Sequence, residues 1–214
     1  MSIVGFLHTS PVHVATFDGL VGELAPGSGV EHLVDETLLD RARDHGVSAV
    51  KPELREALAD LADRSVDLIV CTCSTIGGLA EALASESVVG IPVVRVDRPM
   101  AELAVEAGPR IAVVAALEST IGPTTELIRD VAGDRGVEPD IDVFVVDGAW
   151  SRFESGDIEG YHALVAERLS AYATTSDVIV LAQASMAGAV DLVGDIGVPV
   201  LASPRVAVER LLAG

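Results

Sequence analysis

The chain repeats itself once, and that repeat limits its fold more than any other feature. DLIVCTCSTIGG at 67–78 aligns without a gap on DVIVLAQASMAG at 177–188. VGIPVVRVDRPMAELA at 89–104 aligns on IGVPVLASPRVAVERL at 196–211 after a small length change in the preceding loop. HLVDETLL at 32–39 faces FVVDGAWS at 144–151, and SIVGFL faces RIAVVA. A period of roughly 105 to 110 residues is too long for a solenoid, so it reads as two similar halves.

Within each half, short aliphatic runs alternate with amphipathic stretches. IVGFL, EHLVD, DLIVC and IPVVRV are followed by RIAVVAAL, DVFVVD, DVIVLA and VPVLA. Short β-branched runs separated by helical patterns predict βαβ units around a buried parallel sheet. KPELREALADLADRS carries Leu54, Ala57, Leu58, Leu61 and Ala62 at helical spacing, with Pro52 near its start. DIEGYHALVAERLSAYATTS repeats the stripe through Tyr161, Leu164, Val165, Leu169 and Tyr172. The expected fold class is α/β, with two pseudo-symmetric lobes, each a parallel β-sheet flanked by helices. The lobes are expected at 1–107 and 108–214, divided at the Gly-Pro break of EAGPR, with the C-terminal helix free to pack back on the first lobe. Ligands of open α/β sheets bind beyond the C-terminal strand ends, which predicts a site in a cleft between the lobes.

Composition narrows the partners. Half of the residues are hydrophobic, yet no run reaches the ~18 apolar residues of a membrane span. MSIVGFLHTSPVHV lacks a basic leader and a cleavage signature, so a cytoplasmic protein is expected. The formal net charge is −19 and Lys51 is the only lysine. Such a surface cannot neutralise phosphates in number, which argues against nucleic acid and anionic membranes. A solvated acidic surface is the plain reading; adaptation to high salt is a second. A carboxylate ligand would be repelled at long range and would need local donors to hold it.

Both cysteines lie in VCTCSTIGG at 70–78. A structural zinc site needs about four ligands, and the remaining ligands are the scattered His8, His13, His32, His45 and His162. A mixed site near His8 and His13 is a minor alternative, and no metal is expected. C-x-C at a strand end is also a poor redox pair. Strand alternation separates the thiols. Cys71 extends the apolar run as a buried small hydrophobe. Cys73 stands at the strand-to-helix turn, where backbone N–H groups favour a thiolate or an anion. In the repeat Cys73 corresponds to Gln183, Ser74 to Ala184 and Thr75 to Ser185, so the two turns are expected to share a backbone but not a chemistry. Asp67 and Asp177, at matching positions before their strands, are expected to cap or end the preceding helix.

These residues resemble the aspartate/glutamate/hydantoin racemase superfamily. CST at 73–75 is similar to the Cys-Asn-Thr of glutamate racemases, VIVLAQASMAG at 178–188 to the hydantoin-racemase run that holds a second thiol, and LESTIGPT at 117–124 to a substrate-binding Thr segment. The resemblance implies two lobes with a catalytic Cys from each, and here the second is Gln183. Gln neither gives nor takes a proton usefully near pH 7. The resemblance also implies a partner for the first-lobe thiol at the end of the first strand, where this chain has His8, Thr9 and Ser10. A turn-holding role for His8 is the alternative.

The expected function is therefore a cofactor-independent isomerase, racemase- or epimerase-like, acting on a small carboxylate or amino-acid derivative through Cys73 with His8. The related maleate isomerase and arylmalonate decarboxylase keep addition to a double bond and decarboxylation open. A carboxylate-binding protein without turnover is the alternative outside enzymes. Candidate substrate donors are Ser10, Ser74, Thr75, Thr120, Gln183, Ala184 and Ser185; Thr75, Thr120 and Ser185 also suit helix N-caps. No cofactor is expected, since GSGVEHL at 27–33 is neither a P-loop nor a complete dinucleotide fingerprint. A homo-oligomer is compatible with the pattern, which fixes no interface.

Overall fold

The computed structural model describes residues 2–86 and 89–212. The chain divides into two compact units, Met1–Val96 with Pro204–Gly214, and Asp97–Ser203. All eight aliphatic runs form strands, four in each unit.

The first unit contains β1 (Ile3–His8), α1 (Val12–Leu24), β2 (Gly29–Val34), α2 (Thr37–His45), α3 (Lys51–Asp63), β3 (Leu68–Cys71), α4 (Ser74–Ser85) and β4 (Val93–Arg95). Its sheet is parallel throughout, in the order β2-β1-β3-β4. Alternation along the strands feeds two cores. Leu7, Ile69 and Cys71 pack with Leu54, Leu58 and Leu61 of α3 and with Ile76, Ala80 and Leu83 of α4. Val4, Phe6 and Val70 pack on the other face with Phe17 and Val21 of α1 and with Ala207 and Val208. Those last two residues lie on the C-terminal helix, α10 (Ser203–Leu211).

The second unit contains α5 (Arg98–Ala107), β5 (Arg110–Ala115), α6 (Ile121–Asp134), β6 (Asp140–Val145), α7 (Ala149–Glu154), α8 (Ile158–Tyr172), β7 (Val178–Leu181), α9 (Val190–Val193) and β8 (Val200–Ala202). The order is β6-β5-β7-β8, again all parallel. Met100, Ala101 and Ala104 of α5 join Ile111, Val113 and Val180 with Ile128 and Val131 of α6. Tyr161, Val165 and Leu169 of α8 fill the opposite face with Ile179, Leu181 and Met186. The last helix, α10 (Ser203–Leu211), completes the first unit. The division by contacts thus falls at Val96–Asp97, before α5, and not at the Gly-Pro break after it. The reason is apolar burial: α5 covers β5 and β7, while α10 covers β1 and β3.

The pairing registers correct the repeat by one residue. Leu7 pairs with Cys71 and Val114 with Leu181, so β1 and β5 superpose as Ile3 on Arg110 and His8 on Ala115. The sequence overlay, SIVGFL on RIAVVA, sets Ser2 on Arg110. Strands buried on both faces are apolar at every position, so hydrophobic pattern alone cannot fix such a slip. Asp67 and Asp177 agree with the corrected register and replace the helix-cap expectation. Asp67 Oδ2 accepts the Ile3 N–H at 2.8 Å, and Asp177 Oδ2 accepts the Arg110 N–H at 2.9 Å. Each tethers the first residue of the central strand.

Candidate functional site

In the first unit, β1 and β3 end side by side, bringing His8, Ser10, Cys73, Ser74 and Thr75 to one edge of the sheet. Cys73 is the N-cap of α4, in extended conformation (φ −100°, ψ 112°), with no side-chain cap bond. It is 8% exposed. The Ser74 hydroxyl and the Thr75 hydroxyl, the latter a candidate cap by sequence, are buried without a partner among the described residues. The backbone N–H groups of Thr9 and Ser10 likewise find no acceptor among the described residues. A buried donor without an acceptor is costly. An uncapped helix start with two buried, unpaired hydroxyls, beside the open Thr9 and Ser10 N–H groups after β1, is a place where an anion offsets that cost.

Arg95 explains the glycine pair that follows. Buried at the end of β4, it donates from Nη2 to the Ser74 carbonyl at 3.3 Å, and its own N–H donates to Glu81 Oε1 at 3.1 Å. A Cβ on Gly77 would lie 2.9 Å from Arg95 Cβ, and one on Gly78 would lie 3.4 Å from its Nη1. The Gly pair therefore lets a buried guanidinium lie along the first turns of α4. Cys71 behaves as expected, fully buried, with its Sγ 3.8 Å from the Cys73 carbonyl.

His8 departs from its expected place beside the thiol. Its ring lies on the Phe6 and Phe17 face, stacked on Phe6 at 5.9 Å, while Cys73 packs with Cys71 and Ile76 on the other face. Its hydrogen-bond partners are Thr72 Oγ1 and His32 Nδ1, both at 2.8 Å. Burial, and then the neighbouring His13 and His32, lower its pKa to about 3; burial alone lowers His13 to about 4. Both are therefore neutral near pH 7.

In the second unit, Gln183 caps the turn after β7 in the same extended conformation (φ −129°, ψ 137°). Its Oε1 accepts the N–H of Ala116 at 2.7 Å and of Leu117 at 3.0 Å. Two N–H donors fix which end of the amide is oxygen. The Nε2 hydrogens have no acceptor among the described residues. Ala116 and Leu117 superpose on Thr9 and Ser10, so this side chain fills the pair of N–H groups that stays open in the first unit. Thr120 donates to the Leu117 carbonyl at 2.7 Å, holding the same loop.

The two turns do not share a backbone beyond their first residue. Cys73 opens an α-helix, whereas Ala184–Ala189 is a 3-10 helix. The Ser185 carbonyl, which an α-turn would give to the Ala189 N–H, accepts from His162 Nε2 at 2.8 Å. Gly188 admits that imidazole, since a Cβ there would lie 2.4 Å from it. Tyr161, preceding His162 on α8, has its hydroxyl 2.9 Å from Ser185 Oγ. Either oxygen can donate; among the described residues the phenol has no other acceptor, so donation to Ser185 is the arrangement that satisfies its hydrogen and leaves the Ser185 O–H as a donor. Burial raises the Tyr161 pKa, so the phenol stays protonated.

A profile of the Asp/Glu/hydantoin racemase family matches residues 32–211. The chain belongs to this family. Glutamate racemase from Francisella tularensis, in complex with D-glutamate, superposes over 98% of this chain and 79% of its own, with 18% identity and a TM-score of 0.72. Allantoin racemase from Klebsiella pneumoniae covers 98% and 86% at 17% identity, TM-score 0.71. A mutant of arylmalonate decarboxylase in the liganded form covers 100% and 93% at 18% identity, TM-score 0.65. At this identity the likeness speaks for the racemase fold. No curated protein matches the chain.

Within that family fold the sequence-selected residues form two half-sets at equivalent strand ends. The first carries a thiol among open donors; the second carries two donors, Gln183 Nε2 and the Ser185 hydroxyl, on a turn anchored from behind. Among the described residues no group of three His, Cys, Asp or Glu could hold a metal ion. Sequence reasoning missed the contributions of Thr72, His32, Tyr161 and His162, and left Arg95 unassigned. The Gly77–Gly78 pair was a readable signal for a bulky neighbour against α4. Nothing local marks Tyr161 or His162, whose partner is 23 or 24 positions away.

Proposed function

We propose that this racemase-family protein is a cofactor-independent isomerase acting on a small carboxylate or amino-acid derivative through one thiol, Cys73. Gln183 stands where the family resemblance calls for a second catalytic Cys. The observation carrying this reading is the contrast at the two caps: Cys73 lies among donors without acceptors, whereas the Gln183 carbonyl takes the equivalent pair for itself. In this reading the start of α4, the Ser74 and Thr75 hydroxyls and the Ser10 region hold the carboxylate. The Cys73 thiolate takes the proton from the adjacent carbon, or the Cys73 thiol returns one, and water supplies or accepts the proton on the opposite face of that carbon. Gln183 Nε2, the Ser185 hydroxyl and the Ala184 region receive charge developing on enolate oxygens, while Thr120, whose hydroxyl is spent on the Leu117 carbonyl, holds the adjoining loop. His8 acts on the thiol only through Thr72. A cytoplasmic location belongs to the same reading.

One observation favours a second reaction. Gln183 supplies no proton, and a decarboxylase needs to deliver only one, to the enediolate left after CO2 departs. Incubating a carboxylate panel in D2O and following it by NMR tests both. Deuterium beside the carboxylate with substrate retained marks isomerisation; loss of CO2 with one deuteron gained marks decarboxylation. Cys73→Ala abolishes either, and Cys71→Ala keeps it. Thermal stabilisation by a carboxylate with no exchange and no product would replace the enzyme reading with a binding protein.

A further inference from the structure

The contact of His8 with Thr72 is one link in a longer run of side-chain hydrogen bonds in the first unit. Asp18 Oδ1 is 3.0 Å from His32 Nε2. His32 Nδ1 is 2.8 Å from His8 Nε2, and His8 Nδ1 is 2.8 Å from Thr72 Oγ1. Thr72 Oγ1 is also 3.1 Å from the Leu7 carbonyl. The run begins at a carboxylate with 57% of its side chain exposed and ends at a residue only 2% exposed, immediately before Cys73.

Counting hydrogens along the run gives two complete arrangements. Asp18 accepts, so His32 Nε2 carries a hydrogen in both. In one, Thr72 donates to His8 Nδ1, His8 Nε2 donates to His32 Nδ1, and both rings are neutral. The Leu7 carbonyl then receives nothing from the hydroxyl. In the other, Thr72 donates to Leu7, His8 Nδ1 donates to Thr72, and His32 Nδ1 donates to His8 Nε2. His32 then carries both hydrogens and a positive charge beside Asp18. The two differ by one proton, and His8 is neutral in each.

We propose that Asp18, His32, His8 and Thr72 form a proton-linked relay. Uptake of one proton at His32 exchanges the tautomer of His8 and turns the Thr72 hydroxyl onto the Leu7 carbonyl, so that Thr72 positions the Cys73 turn according to the charge on His32. The Leu7 carbonyl already accepts the Thr72 N–H at 3.0 Å, so the turned hydroxyl adds a second tie between β1 and the residue before the thiol. Burial keeps His8 from taking the proton itself. The titratable and charged groups on the elements around the relay are His13, Asp18 and Glu23 on α1, Glu31 next to His32 in the β2 sequence, and Asp60 and Arg64 at the end of α3. Arg64 is spent on Asp60, Glu31 and the His32 carbonyl, and Glu23 on Arg205 of α10. Asp18 is thus the carboxylate that receives the charge.

The tautomer exchange does not depend on the proposed activity; only its purpose rests on Cys73 being the reacting group. Nitrogen-15 NMR of the histidines in the full chain, across the range in which histidine titrates (~pH 5 to 8), reads it directly. The expected result is a His8 that passes from Nε2–H to Nδ1–H, without becoming imidazolium, as His32 gains its proton. A His8 that keeps one tautomer, or charges, overturns the relay. Alkylation of Cys73 by iodoacetamide in a Cys71→Ala background reads the positioning. Its rate should show an additional step of about threefold in that range, absent in Thr72→Val and His32→Gln and restored in Thr72→Ser. A profile common to all these variants overturns the positioning role, whatever the substrate panel shows.

Discussion

Gln183 reaches back to the end of β5, where its Oε1 accepts the Ala116 N–H at 2.7 Å. The same oxygen takes the Leu117 N–H at 3.0 Å, so it extends the pairing of β5 and β7 by a side-chain rung. Gln183→Leu leaves two backbone donors unpaired at a residue that is 7% exposed. An unsatisfied buried donor costs about 1–3 kcal/mol, or roughly 2–4 °C of melting temperature per kcal/mol at this size. Gln183→Glu keeps an acceptor for both N–H groups but loses the NH2. It should melt within a few degrees of the parent near neutral pH while losing at least ~10-fold in turnover, the scale of a lost transition-state donor. Thermal melts and the D2O assay separate the two effects. Equal stability losses in both variants would mean that the anchoring is not what holds the turn.

Gly77 and Gly78 look interchangeable in sequence but not beside Arg95. Both lie inside α4, where Gly→Ala gains about 0.8–1 kcal/mol of helix propensity. At Gly78 the new methyl meets the movable Nη1 at 3.4 Å, so Gly78→Ala should be neutral or stabilising. At Gly77 it meets Arg95 Cβ at 2.9 Å, next to the β4 backbone, which cannot swing away. Overpacking there costs roughly 1–3 kcal/mol, so Gly77→Ala should melt lower despite the helix gain. It should also slow alkylation of Cys73, because Arg95 is pushed from the Ser74 carbonyl. Melting curves for the two single variants, side by side, check the order.

The sequence made the architecture readable because the repeat and the eight aliphatic runs report burial, and burial decides which segments become strands. It also made Cys73 and Gln183 stand out, because the repeat aligns them without a gap. The register of β1 on β5 was not readable, since strands covered on both faces carry no alternation. The surroundings of His8 were hidden for a related reason. Whether a strand-end side chain turns toward α1 or α4 depends on a one-residue parity that the aliphatic run does not mark. Tyr161 and His162 were read as part of a packing stripe, and Tyr161 does pack. Its hydroxyl finds Ser185 only through the docking of α8 on the second sheet.

His8 and His13 make the first unit sensitive to mild acid. Their folded pKa values, about 3 and about 4, lie below the ordinary 6.5 because the buried rings resist charging. The unfolded chain therefore binds more protons between those limits, and stability rises with pH across the window. It is complete above about pH 6.5 and declines as pH falls, on the order of 3 kcal/mol for each histidine by about pH 4. Glu23, Glu53, Glu86, Asp157 and Asp177 have pKa values lowered chiefly by hydrogen bonds, so their contributions are complete above about pH 5 and are lost as pH falls from there through the lowered values. Urea midpoints between pH 7 and 5 thus isolate the histidines. His13→Leu should flatten the slope by about half. An unchanged slope would place the acid sensitivity elsewhere.

Tyr161→Phe tests the anchoring of the second turn from behind. The phenol oxygen is 2.9 Å from Ser185 Oγ, and the ring is fully buried against Phe153 and the β7 core. Phe keeps the ring and its packing, so only the hydrogen bond is lost. One such bond is worth about 1 kcal/mol, a fall of a few degrees in melting temperature. The effect on reaction should exceed that on stability. With Tyr161 gone, the Ser185 hydroxyl loses the donor that leaves its own hydrogen free and can turn to other acceptors. Since Ser185 is proposed to serve the developing oxygen charge and not the ground-state carboxylate, kcat should drop several-fold with KM little changed. Ser185→Ala should lower kcat at least as far, and adding Tyr161→Phe to it should lower kcat no further. A Tyr161→Phe loss that persists undiminished in the Ser185→Ala background would show that the phenol acts by another route.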